Sequence, residues 1–170
     1  MEAGKPNYIF ESVTLVTPEK LREMGVRAVG IDLDNTLVYD STFKPREGAR
    51  EWVEKLKAAG IPVIIVSNTN HPRAYILAKM FKIPYYAMSK KPHTKNLLRA
   101  AREAGVPIEN FAMIGDQIFA DVYAANECGA ISVWVKPFGS EKLFSHHFNR
   151  LRARERKYCR EHGIEYREIR

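Results

Sequence analysis

The chain has 170 residues, 45% of them apolar, which suits a single domain over 1–170 with a buried core. Its apolar runs, Ile61–Val66 the longest, fall far short of the ~20 residues a membrane-spanning helix needs, and Met1–Tyr8 lacks the apolar stretch of a secretory signal, so a cytoplasmic protein is expected. The net charge of +7 is concentrated in 149–160, where Arg150, Arg152, Arg154, Arg156, Lys157 and Arg160 face only Glu155; such a patch suits a membrane surface, a nucleic acid or a phosphorylated ligand.

Along the chain, Val26–Leu33 reads as a buried strand and Arg46–Ala59 as a helix stopped by Gly60. Pro62–Ser67 is a second buried strand, and Pro72–Phe81 a helix with Pro in its first turn. Ile83–Met88 reads as a short strand, and His93–Ala104 as a helix ended by Gly105. Then come a strand at Phe111–Ile114, a helix at Ile118–Glu127, a strand at Ile131–Val135 and a longer basic helix from Ser140 to about Cys159. Cys128 and Cys159 have no metal-type spacing and read as free thiols. Apolar strands alternating with helices predict an α/β fold: a doubly wound parallel sheet sandwiched by helices. Ligands in such folds sit beyond the carboxyl ends of the strands.

Four polar motifs fall at those ends. Asp32-Leu33-Asp34-Asn35-Thr36 lies at the end of the first predicted strand, and side chains two apart on a strand share a face. Such a carboxylate pair divides labour: one attacks phosphorus, the other handles protons. Ser67-Asn68 follows the second strand, where a hydroxyl and backbone N–H groups suit phosphate oxygens. Lys91, with Lys90 as its neighbour and rival, can neutralise phosphate charge. Asp116 follows the strand at Phe111–Ile114, with Asp121 one helical turn on. Converging carboxylates repel one another unless a cation joins them, and hard oxygens suit Mg²⁺.

In this order, DLDNT, SN, KP and GDQxxxD resemble the four motifs of the haloacid dehalogenase superfamily of phosphotransferases. The resemblance implies Asp32 as nucleophile, Asp34 as acid and base, and Thr36 as the residue that steadies the loop. It further implies Ser67 and Asn68 at the phosphate and Lys91 as the stabilising cation. For Mg²⁺ it implies Asp116, the Asp32 carboxylate and the Asp34 carbonyl, with Asp121 either supporting the metal or orienting Lys91. An aspartate two places after the nucleophile accompanies phosphoryl transfer in this superfamily, so hydrolysis of a phosphate monoester through an aspartyl-phosphate is expected.

Only 32 residues separate Asp34 from Ser67 and 22 separate Asn68 from Lys91, too few for a cap domain. An open site suits a lipid headgroup at a membrane, a protein or a nucleic-acid end. Thr17-Pro18-Glu19-Lys20-Leu21, Gly129 and Phe148-Asn149-Arg150 extend the likeness to the capless YqeG-type class IIIA phosphatases. Relatives in that branch dephosphorylate phosphatidylglycerophosphate to phosphatidylglycerol, which implies a lipid substrate. A soluble sugar phosphate, nucleotide or phosphoprotein is the alternative, and a non-catalytic RNA- or ribosome-associated module a third reading.

The basic helix has three readings. A stripe of Phe144, Phe148, Leu151 and Tyr158, interrupted by Glu155, either packs on the sheet with the arginines solvated or leaves the helix to dock on anionic lipid at the inner membrane surface. Nucleic-acid binding is the weakest of the three, because little aromatic interleaving accompanies the arginines.

Overall fold

The computed structural model describes residues 3–137 and 146–165, with the backbone alone for 146–148. Its strands are β1 Tyr8–Phe10, β2 Ala28–Ile31, β3 Val63–Val66, β4 Tyr85–Tyr86, β5 Phe111–Gly115 and β6 Ile131–Val135. They form one parallel sheet in the order β1-β6-β5-β2-β3-β4. Every residue of β2, β3 and β5 is buried, because helices cover both faces.

Alternation along the strands divides the core in two. Val29, Ile31, Val63, Ile65 and Ile114 meet α1 (Pro18–Glu23), α2 (Ala49–Ala58) and α3 (His71–Phe81) through Leu21, Trp52, Leu56, Leu77 and Phe81. Ala28, Ile64, Val66, Phe111 and Met113 meet α4 (Lys95–Glu103) and α5 (Tyr123–Cys128) through Leu97, Ala101 and Ala125. The large apolar side chains among these contribute about 1.5–3 kcal/mol each on burial. Trp52 also satisfies its indole N–H on the Val16 carbonyl, at 2.8 Å.

Local chemistry sets the helix ends. Thr17 Oγ1 accepts from the Lys20 N–H at 3.3 Å ahead of Pro18, and Asn70 Oδ1 accepts from the Arg73 N–H at 3.0 Å ahead of Pro72. Gly60, at φ +74°, lets the chain turn out of α2 where a side chain would be strained.

The sheet is doubly wound as expected, and from β2 the chain runs outward to β3 and β4, then returns to β5 and β6 on the other side. The direction therefore reverses between β2 and β5, and a crevice opens beyond their carboxyl ends. A bridged flap (Asp34 with Val38, Val38 with Pro45) and α2 fill the first inter-motif interval, and α3 and β4 fill the second. Neither holds a cap. No helix among the described residues is long and apolar enough to cross a membrane.

Three segments differ from the sequence reading. The edge strand β1 and helix α1 were not anticipated, being three and six residues long. Residues Ile118–Val122 form a π-helical turn ahead of α5, not one α-helix, because both the Asp121 and Val122 N–H groups donate to the Gln117 carbonyl. Helix α6 spans His146–Glu161, and its predicted start over 140–145 lies outside the described residues. Its buried positions are Arg152, Glu155 and Cys159, while Leu151 and Tyr158 are half-buried. Phe144 and the Phe148 side chain lie outside the described residues. Cys159 and Ile164 join Ile118, Val122 and Trp134 in a small third cluster, so α6 packs on the β6 side of the sheet.

Candidate active site

Strand register brings the first and fourth motifs together. Ile31 of β2 pairs with Ile114 of β5, and the Asp32 N–H donates to the Ile114 carbonyl at 2.9 Å. Asp32 and Asp116 therefore leave neighbouring strands at the topological switch. Oxygens of Asp32, Asp116 and Asp121 lie within 4.8 Å of one another, all three residues buried. Lys91 sits among them, with Nζ 2.9 Å from Asp32 Oδ1 and 2.5 Å from Asp121 Oδ1. Lys90 is exposed at φ +52° and has no such contact, so the lysine brought to Asp32 is Lys91.

Asp121 is fully engaged: Oδ1 accepts from Lys91 and Oδ2 from the Gln117 N–H at 3.0 Å. This orients Lys91, and the π-helical turn aims Asp121 inward. Gly115 makes room for it, because a Cβ there would fall on the Asp121 carboxylate. Asn68 fixes Lys91 from the other side: Oδ1 accepts from the Lys91 N–H at 2.8 Å, and Nδ2 donates to the Lys91 carbonyl at 3.4 Å. The Asn68 side chain is thus joined to the third motif.

Asp34 lines the same depression as Asp32, but from a loop rather than a strand, because β2 ends at Ile31 and the chain turns through Asn35 at φ +55°. Its Oδ1 accepts from Arg73 Nη2 at 2.7 Å and the Ser41 N–H at 2.8 Å, and its Oδ2 accepts from Arg73 Nη1 at 2.8 Å. Arg73 also donates to the Thr42 carbonyl and to Thr69 Oγ1, tying the flap to α3. Thr36 is buried beneath the loop and its Oγ1 has no hydrogen-bond partner among the described residues.

Above these groups lies a depression of about 210 Å³ lined by Asp32, Asp34, Asp40, Ser67, Asn68, Thr69, Lys91, Gln117 and Ala120. Thr36 is not on its wall. A larger groove of about 470 Å³ runs along Tyr75, Lys79 and Tyr85, but it carries none of the four motifs.

Burial dominates the electrostatics. It pushes the Asp32 carboxyl up to about 6, against the lowering pull of Lys91 and with the repulsion of Asp121 and Asp34. The two neighbouring carboxylates hold Lys91 protonated, outweighing the desolvation that would lower it. Asp116 is raised by burial, against the Arg152 guanidinium that pairs with its Oδ2. Asp116 Oδ1 has no hydrogen-bond partner among the described residues. An orphaned buried oxygen, facing other hard oxygens, fits a small divalent cation.

Arg73 and the pair Arg152–Glu155 were missed by sequence reading. Arg73 stands six residues after Ser67 at the start of α3, and α6 was read through its basic charge and its aromatic stripe, with no inward-facing ion pair. Six basic residues around one Glu could have flagged an internal partner for that Glu.

Residues 15–129 match the family model of haloacid dehalogenase-like hydrolases. The chain is 36% identical over 145 residues to the "Probable phosphatase YqeG" of Bacillus subtilis, covering 85% of this chain and 84% of that protein. Among solved structures, the cobalt-bound deoxy-D-mannose-octulosonate 8-phosphate phosphatase of Haemophilus influenzae superposes with a TM-score of 0.55 at 19% identity, over 85% of this chain and 92% of that one. A phospho-aspartyl intermediate analogue of phosphoserine phosphatase gives 0.54 at 15% identity, over 66% and 94%. These two show the shared fold. With the family match spanning most of the chain and the relative aligned over nearly its whole length, the protein belongs to the haloacid dehalogenase-like hydrolases.

Proposed function

We propose that the protein is a Mg²⁺-dependent phosphate monoester hydrolase that works through an aspartyl-phosphate on Asp32 and converts phosphatidylglycerophosphate to phosphatidylglycerol. The observation that carries the chemistry is the Lys91 ammonium held between Asp32 and Asp121 at the floor of the depression. It keeps a nucleophilic oxygen in place and counters the charge of an arriving phosphate.

An Asp32 oxygen attacks phosphorus as the bond to the leaving alkoxide breaks, and Asp34 donates the proton that alkoxide needs. Asp34 then takes a proton from water, whose oxygen attacks the acyl phosphate, and the Asp32 carboxylate returns as inorganic phosphate departs. Ser67 Oγ and backbone N–H groups after β3 bind phosphate oxygens. The Asp32 and Asp116 carboxylates and the Asp34 carbonyl would hold Mg²⁺, which offsets charge on the phosphoryl group.

The lipid assignment is supported by the resemblance to a branch acting on this lipid and by the uncapped site, where only α2 with the flap, and α3 with β4, fill the inter-motif intervals. The rim supports it too. Phe43 on the flap is 46% exposed, and Met88, bonded to the Thr69 carbonyl, is 52% exposed. Phe43 lies under the Arg73 guanidinium that holds Asp34, and Met88 is bonded to Thr69, which lines the depression. Exposed apolar side chains there suit contact with a bilayer surface, and Arg150, Arg154, Lys157 and Arg160 remain exposed on α6 for anionic headgroups. The protein would thus act peripherally at the inner membrane face.

The test is phosphate release from vesicles containing phosphatidylglycerophosphate, with Mg²⁺ or with EDTA, beside a panel of soluble esters. Turnover should need Mg²⁺, vanish in Asp32→Asn and favour the lipid in kcat/KM. A soluble ester turned over much faster than the lipid would remove the lipid assignment.

A further inference from the structure

Helix α6 lies outside the segment that matches the family model, yet it reaches the acidic cluster. Arg152 is 3% exposed and Glu155 1%. They pair one helical turn apart, Nη1 to Oε2 at 2.7 Å. Arg152 Nη1 also donates to the Asp116 carbonyl at 3.1 Å, and Nη2 donates to Asp116 Oδ2. Glu155 Oε1 accepts from the Ile118 N–H at 2.7 Å, two residues beyond Asp116. Trp134 Nε1 donates to the same Asp116 carbonyl at 2.8 Å. The whole loop around Asp116 is gripped by α6 and β6, and one oxygen, Oδ1, is left over.

Burying a guanidinium and a carboxylate costs several kcal/mol per ion, and such a pair adds little net stability over apolar packing. Cys159, Ile164, Ile118 and Trp134 already supply apolar packing here. The charges fit another purpose. Asp32, Asp116, Asp121 and Glu155 against Lys91 and Arg152 leave the cluster at −2, the charge one divalent cation cancels. Glu155 lets Arg152 hold Asp116 without using charge the cation needs.

We infer that Arg152, backed by Glu155, is a positioning residue for the metal site: it takes Asp116 Oδ2 and turns Oδ1 to the cation, making the terminal helix part of the catalytic assembly. The inference rests on the metal reading above. Groups that orient metal ligands typically change affinity 10–100-fold when lost.

The test is calorimetric Mg²⁺ binding to the full-length protein without substrate. The double variant Arg152→Gln/Glu155→Gln keeps the cluster charge and should bind Mg²⁺ about 10–100-fold more weakly. Arg152→Lys keeps both charge and helix but loses the two-pronged grip, and should weaken binding about tenfold, which covers the case of a double variant that does not fold. In either variant, raising Mg²⁺ should restore most of kcat, as a merely structural lesion would not allow. Unchanged or tighter Mg²⁺ binding in folded variants overturns the inference alone. Wild-type protein that binds no Mg²⁺ overturns it together with the metal-dependent phosphatase reading.

Discussion

Arg73 grips Asp34 with both terminal nitrogens, one to each carboxylate oxygen, at 2.7 and 2.8 Å. The same guanidinium holds the Thr42 carbonyl and Thr69, so the proposed acid and base is fixed by a residue that also closes the flap onto α3. A two-pronged pair sets orientation as well as charge, which lysine cannot reproduce.

Arg73→Ala should therefore lower kcat about 10–100-fold, less than the ~10²–10⁴ that acid–base catalysis contributes in full, because Asp34 itself remains. In an Asp34→Asn background the same change should add little. Equal, additive losses in a double-mutant cycle of kcat would show that the two residues act independently.

Lys91→Ala leaves Asp32 and Asp121 buried without their cation. Removing one member of a buried pair typically costs about 3–5 kcal/mol. Denaturant unfolding in EDTA should show a loss of that size, partly recovered by Mg²⁺, with no turnover in either condition. A loss below ~1 kcal/mol would mean water reaches these carboxylates.

Gly115→Ala tests the close approach beneath the site. The added methyl would overlap Asp121, which must move and take Lys91 with it. Overpacking of this kind costs about 1–3 kcal/mol. Activity should fall more than stability predicts, and wild-type turnover in the variant would contradict the assigned route from Asp121 through Lys91 to Asp32.

The Asp32 carboxyl, raised to about 6 in the metal-free protein, makes stability and metal binding respond oppositely to pH. The folded state binds this proton more tightly than the unfolded chain. Its contribution to stability is complete below pH ~4 and is lost as pH rises through about 6. Asp116 is shifted in the same direction. Thermal scans in EDTA should thus show the midpoint falling between about pH 4 and 7, while the gain on adding Mg²⁺ grows over the same window, because the cation needs the carboxylates ionised. A pH-independent Mg²⁺ gain would refute the link.

The strand ends carrying Asp32, Ser67 and Asp116 were legible because buried apolar runs stop abruptly at polar residues, and the doubly wound order follows from strand–helix alternation. Arg73 was not legible: a lone Arg in a first helical turn has no spacing that announces a partner 39 positions away. Nor was the inward face of α6, since Arg152 and Glu155 read as solvated until Asp116 and Ile118 are seen to need them. Strand β1 escaped notice because two of its three side chains are exposed and show no buried pattern.

That same strand constrains how the chain assembles. Asn7 exchanges backbone and side-chain hydrogen bonds with Ser132 across 125 positions, and Tyr8–Phe10 lies only against β6. During synthesis on the ribosome, β1 emerges 125 residues ahead of its partners in β6 and waits for them before it gains this neighbour. So non-local a pairing delays its closure, and the centre of the sheet, with β2 beside β3, forms without it. Residues 7–10 are then a latch closed late in folding, and hydrogen exchange should find their amides the first to open.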